Sequence, residues 1–191
     1  MSVIRQLVQF PLLVALLLLG ACASPVTPSG STVDSHLGFA FPPEVASLSL
    51  RNVHVYDDAA YGAVANYRLS SADSLIVSVY VYPTPTFEDG SFQSLDSHSQ
   101  DELRGLLKYY EGAKQVEWPF TGDGPDDTSV DFRQAALQID DEERGTFYSL
   151  LRIVDYGDVR IKIRISYPPT HQSAALHIEN FLRAYPRRRA E

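Results

Sequence analysis

Cysteine is almost absent: one residue in 191, Cys22, so no disulfide can form within the chain. A domain built on this sequence is held by its core, even where thiols oxidise. Positive charge is also short, with 16 Lys and Arg against 24 Asp and Glu and a formal net charge of −8. Nucleic-acid binding draws on clustered cations that release counterions, so this balance argues against a nucleic-acid partner. A bilayer-spanning run is missing too. Gln9 and Pro11 interrupt the apolar start, leaving residues 12–19, whereas a span takes about 20 residues. Several chemical signatures are lacking: a Gly-x-Ser-x-Gly elbow, a Gly-rich phosphate loop after a strand, and His residues at i, i+4 for zinc. Of the five histidines, His171 and His177 stand six apart and His98 lies between two serines. These absences leave an enzyme, a hydrolase included, without a residue to carry its chemistry.

What is present begins at the N-terminus. Arg5 is the one charged side chain before Cys22, the short apolar core follows, and Gly20 and Ala21 lead into the cysteine. That order reads as a processing signal rather than structure. The alternative is an ordinary cleaved signal with a chance cysteine. Leu19-Gly20-Ala21-Cys22 resembles the lipobox of bacterial lipoproteins. The resemblance implies cleavage before Cys22 and a diacylglycerol on its thiol, with acylation of the new amino group. It implies no cofactor beyond that covalent lipid, and a bilayer as partner through the Cys22 anchor. Two or more acyl chains hold a protein stably at a membrane, at about 0.8 kcal/mol per buried CH2. Ala23, not aspartate, follows the cysteine. By resemblance to the Gram-negative sorting rule, that implies the outer membrane, facing the periplasm.

The boundaries follow from composition. Residues 1–21 are the signal, and 22–37, rich in Ser, Thr, Pro and Gly, form a flexible tether. Residues 38–186 make one α+β domain, and 187–191 a basic tail with Arg187, Arg188 and Arg189. Loss of the signal removes Arg5 and takes the charge from −8 to −9.

Within the domain, residues 39–45 read as a short opening strand ended by two prolines. In 46–57, Leu48 and Leu50 share one parity and Val53 and Val55 the other, which predicts a bulge near Arg51 and Asn52. Residues 60–70 and 75–83 read as strands with a turn at 71–74. Leu75, Val77, Val79 and Val81 lie on one face of the second, with Ile76, Ser78, Tyr80 and Tyr82 on the other. Both faces are largely apolar, so this strand is expected to be central and covered on both sides. Residues 91–112 change to a helical period, with Leu95, Ser99, Leu103, Leu106, Leu107 and Tyr110 along one face and Gly112 as the stop. Strands resume at 114–120, 128–139, 146–155 and 158–168. A last helix is capped by Thr170, with Ala174, Ala175, Ile178, Phe181, Leu182 and Tyr185 inward. Hairpin turns make the sheet mostly antiparallel, packed with two main helices. This element order resembles the PsbP-like α/β sandwich, shared by several small bacterial lipoproteins. That resemblance implies protein–protein contacts and carries no catalytic residue onto the chain.

Four features are candidates for function. Arg160, Lys162 and Arg164 alternate along one strand, with Arg152 and Arg133 on nearby strands; they form an anion-binding stripe, or a solvated face paired with Asp131 and Asp155. Asp123, Asp126 and Asp127 sit in a Gly-turned loop that is a calcium site or a solvated turn. Tyr80 and Tyr82, with Tyr109 and Tyr110, are groove aromatics for a peptide or glycan, or core packing. Cys22 is the lipidation site, and no metal or cofactor site is expected. Together these predict a membrane-anchored envelope module that binds a protein partner without catalysis. A small-ligand carrier is the second reading and would need an enclosed apolar pocket.

Overall fold

The computed structural model describes residues 33–34, 37–69, 72–120, 130–171 and 173–185. The signal, Cys22, most of the tether, the acidic loop with Asp123, Asp126 and Asp127, and the tail at 187–191 lie outside them.

The described residues form an antiparallel α+β fold. The strands are β1 (Val33–Asp34), β2 (Ala40–Phe41), β3 (Glu44–Val45), β4 (Leu48–Val55), β5 (Ala63–Leu69), β6 (Ala72–Pro83), β7 (Lys114–Val116), β8 (Asp131–Asp141), β9 (Gly145–Asp155) and β10 (Val159–Tyr167). The helices are α1 (Leu95–Tyr109) and α2 (Ala174–Ala184), and a 3-10 turn spans Ala59–Tyr61. The main sheet has eight strands in the order β3-β4-β5-β6-β10-β9-β8-β7. Every pairing is antiparallel. β1 and β2 form a separate ribbon, so Val33 and Asp34 of the expected tether are already paired.

Alternation along each strand explains the layers. Leu75, Val77, Val79 and Val81 are fully buried on the face that packs with Ile178 and Phe181 of α2. Leu95 and Leu106 of α1 pack on the other face against Leu137, Ile139, Phe147, Leu151 and Ile153. Each such aliphatic side chain contributes roughly 1.5–3 kcal/mol by leaving water. Because α1 sits over β8 and β9, Ile76, Ser78, Tyr80 and Tyr82 of the central β6 stay only half-buried. The expectation of full cover on both faces holds on one. The bulge is present, with the β4–β5 register shifting between Leu50 and Asn52.

Several boundaries differ from the pattern. Pro42 and Pro43 split the opening strand into β2 and β3, which join different sheets. Prolines donate no ladder bond, so neither strand continues through them. β6 begins at Ala72, inside the expected turn, and β7 stops at Val116 before Trp118 and Pro119. On α1, His98 takes a buried place while Leu107 is 38% exposed. The N-cap of α2 is Ser173, not Thr170, and it makes no side-chain capping bond. Ala175 is exposed, leaving Ala174, Ile178, Phe181, Leu182 and Tyr185 as the buried stripe. No helix among the described residues is long and apolar enough to cross a membrane.

Candidate binding cleft

The basic ladder is the first correction. Arg160, Lys162 and Arg164 do not form a solvated face. They point to the side of the sheet that α1 covers, and each reaches the helix at a different height. Arg160 is 2% exposed. Its guanidinium donates to the carbonyls of Gln93 (2.7 Å) and Ser94 (3.3 Å) and to the Asp155 carboxylate (3.1 Å). It also meets Nδ1 of His98 at 2.9 Å. Arginine only donates, so Nδ1 accepts and the single imidazole proton is assigned to Nε2. Lys162 donates to Glu102 at 2.8 Å, and Arg164 reaches the Tyr110 hydroxyl at 3.4 Å.

The rungs rise by about 6.7 Å per two strand residues, and a helix rises about 6 Å per four. Positions 98 and 102 therefore keep step with Arg160 and Lys162. The next helical step is Leu106, which is buried in the core under α1. Arg164 must reach to Tyr110, a full turn further on.

Arg152 and Arg133 do not extend the stripe together. Arg133 pairs in register with Ile153, which pairs with Lys162, so it shares the ladder's face. Its guanidinium is bonded to Asp96. Arg152 pairs with Ile163 and points to the opposite face. There it donates to Gln134 (2.9 Å), with Phe132 and Trp118 rings 5.0 and 5.5 Å from its guanidinium. Burial lowers its pKa to about 10.

Beside the ladder lies a cleft of about 360 Å³. Its floor is Tyr80, Tyr82 and Lys162, its far wall His98 and Glu102 of α1, and its near wall Tyr56 and Tyr61. Pro85 closes one end. The near wall is positioned by backbone. Tyr56 N donates to Gly62 O at 2.9 Å, and Asp58 caps the 3-10 turn through Ala60 N at 2.9 Å. Gly62 has φ +60°, and a Cβ there would stand 1.9 Å from Val81 O. Only glycine allows the turn to rest on β6 this closely.

The floor carries an internal charge pair. Lys162 Nζ lies 4.7 Å from the Tyr80 ring centroid and 5.9 Å from that of Tyr82, a cation–π arrangement. Burial alone would raise the Glu102 pKa. The His98 ring, 3.7 Å away, and the hydrogen-bonded charge of Lys162 outweigh it and hold Glu102 at about 2. Burial pushes the Tyr80 and Tyr82 phenols up, so both stay protonated. The cleft thus offers aromatic walls over a fixed, neutralised floor. It suits ring stacking and apolar contact better than proton transfer.

No protein-family model matches the chain, and no curated protein matches it. Among solved structures, the solution structure of cyanobacterial PsbP (CyanoP) from Synechocystis is similar. It aligns at TM-score 0.43 and 12% identity, over 86% of this chain and 95% of that one. The resemblance drawn from element order names the same group. No role is carried over from it.

The structure separates the four tyrosines grouped in the sequence. Tyr80 and Tyr82 floor the cleft, while Tyr109 and Tyr110 line another groove with Asp140, Asp141 and Arg144. Sequence reasoning missed Tyr56 and Tyr61. The usable signal was the pair Tyr56 and Tyr61 closing on Gly62 just before the strand that pairs with the Tyr80–Tyr82 strand. Tyr61 of the near wall is 64% exposed, and Phe87 (52%) and Phe92 (60%) are exposed on the loop that supplies Pro85. His177 bonds to Ser47 at 2.6 Å. Among the described residues, no group of His, Cys, Asp and Glu is placed to hold a metal.

Proposed function

We propose that this chain is a lipid-anchored envelope protein whose α+β domain acts as a non-enzymatic binding module. The aromatic cleft at Tyr56, Tyr61, Tyr80 and Tyr82 is its docking site, on the outer membrane facing the periplasm. The observation that carries the reading is the exposed Tyr61 beside a tyrosine-floored groove, flanked by a loop bearing Phe87 and Phe92. Exposed aromatics of this kind dominate binding energy at protein interfaces because they bury large areas at little conformational cost. The lipobox at Leu19-Gly20-Ala21-Cys22 supports the anchor and the address. The carrier reading has less support, since the grooves at Tyr61, Tyr109 and Val45 are open rather than enclosed.

The test is site-specific photocrosslinking in native membranes. A benzophenone amino acid replaces Tyr61 in one variant and Leu176, exposed on α2, in another. A discrete adduct from position 61 alone supports docking at the cleft. No adduct, or the same pattern from both positions, overturns it.

A further inference from the structure

We propose that Arg164 anchors a small oxyanion, a carboxylate, phosphate or sulfate group, on the half of the sheet that α1 leaves open. The site is independent of the aromatic cleft.

Five of the described cations are held in ion pairs; Arg164 is not, nor are Arg68 on the same face and the exposed Arg51, Lys108, Lys114 and Arg183. Arg104 pairs with Asp101, Arg133 with Asp96, Arg144 with Asp141, Arg160 with Asp155 and Lys162 with Glu102. Arg152, the other buried guanidinium, is packed between two aromatic rings and held by Gln134. Arg164 is half-buried and forms no ion pair among the described residues. Its two contacts, Tyr110 hydroxyl and Ser149 Oγ, are both neutral and both at 3.4 Å, the long end of a hydrogen bond. Its Nε is buried with no partner.

The unpaired charge has a geometric origin. The strand and helix repeats keep step for two rungs and then part, which leaves Leu106 where a carboxylate would have met Arg164. The surrounding sheet supplies no substitute. β4, β5, β10 and residues 75–83 of β6 contain no Asp or Glu. Across from Arg164 in register is Ser78, whose hydroxyl donates to Asn66 Oδ1 at 2.6 Å. Asn66 in turn donates to Asn52 at 2.7 Å, so this row is neutral and internally satisfied. Arg68, one pair along β5 from that row, adds a second positive charge on the same face.

The group that fits is an oxyanion. A guanidinium presents a planar fork matched to carboxylate or phosphate oxygens, and charge-assisted bonds are about twice as strong as neutral ones. The Tyr110 and Ser149 hydroxyls rotate to donate to the same anion. Tyr110 already responds to this field. Burial pushes its phenol up, yet hydrogen bonds and charge from Arg164 and Arg144 outweigh it and draw the pKa below its usual value.

The experiment is a titration of the full-length protein, followed by the arginine Nε–H resonances in a proton–nitrogen spectrum. Inorganic phosphate, sulfate and acetate are added at constant ionic strength, with chloride as control. The Arg164 signal is identified by its loss in Arg164→Lys. The expected result is a saturable shift at Arg164 and not at Arg160, weakened about tenfold in Ser149→Ala, which keeps the arginine in place. Saturation by only one of the three anions supports the site and fixes the class of its ligand. A shift that does not saturate, that chloride reproduces, or that is equal at Arg160 and Arg164, overturns it.

Discussion

Gly62→Ala is the sharpest test of how the cleft wall is built. The residue has φ +60° and ψ −122°, a region essentially closed to side chains. Holding alanine there costs about 1–3 kcal/mol. The new Cβ would also stand 1.9 Å from Val81 O and 2.8 Å from Tyr82 Cα, both backbone atoms of the central strand. Relieving that overlap moves the 3-10 turn by more than an ångström or distorts β6, at a further ~1–3 kcal/mol. Alanine returns only about 0.4–1 kcal/mol by stiffening the unfolded chain. The expected loss is about 1–5 kcal/mol, read as a lower urea midpoint at unchanged m. Gly105 supplies the control. It lies in the middle of α1, where an added methyl group would meet open space. There Gly105→Ala stabilises by roughly 0.5–1 kcal/mol. A Gly62→Ala loss under about 1 kcal/mol, or a Gly105→Ala loss as large as that of Gly62→Ala, refutes the reasoning.

Arg160→Ala strips the donors from two carbonyls and from His98 and leaves Asp155 unpaired, at a cost of about 3–5 kcal/mol by chemical denaturation. A cost below about 1 kcal/mol would show that α1 does not depend on this anchor. Glu102 gives a pH dependence. Its folded pKa of about 2 lies below the ordinary 4.5, so its stabilisation is complete above pH 4.5 and is lost as pH falls from there through 2. Glu102→Gln should flatten the stability profile across that window, and an unchanged slope contradicts the Lys162–Glu102–His98 assignment. Cys22→Ser should leave the precursor uncleaved or release the domain from membranes on fractionation. Wild-type maturation with membrane retention rules out the lipid anchor.

Strand alternation and helical period revealed most of the fold. The parity change at Arg51 and Asn52 marked the bulge, and the Val159, Ile161, Ile163 alternation marked β10. Local pattern failed where a long-range partner decided the outcome. His98 looks polar and exposed in sequence, but it is buried because Arg160, 62 residues away, bonds to its ring. Arg152 joined the basic stripe by composition, and only the β9–β10 register turns it to the other face. The cleft was half legible. Tyr80 and Tyr82 were visible as a pair, but Tyr56 and Tyr61 join them through a turn whose closeness depends on a backbone contact at Gly62. The failed Thr170 cap shows the same limit, since a serine three residues later opens α2 without a side-chain bond.

The proline break between β2 and β3 also sets a mechanical path. A pull on the N-terminal side, the direction an anchor at Cys22 would load, first meets the β1–β2 ribbon with its two residue pairs. Phe41 of that ribbon and Phe39 just before it are wedged fully into the core. Two hydroxyls clamp the same segment from elements far apart in sequence: Tyr185 holds Ala40 O at 3.0 Å and Tyr67 holds Pro42 O at 3.1 Å. Tension is therefore shared between α2 and β5 on one face of the sheet. The cleft and α1 lie on the other face, so a load entering through the N-terminal segment is carried without passing through the cleft walls.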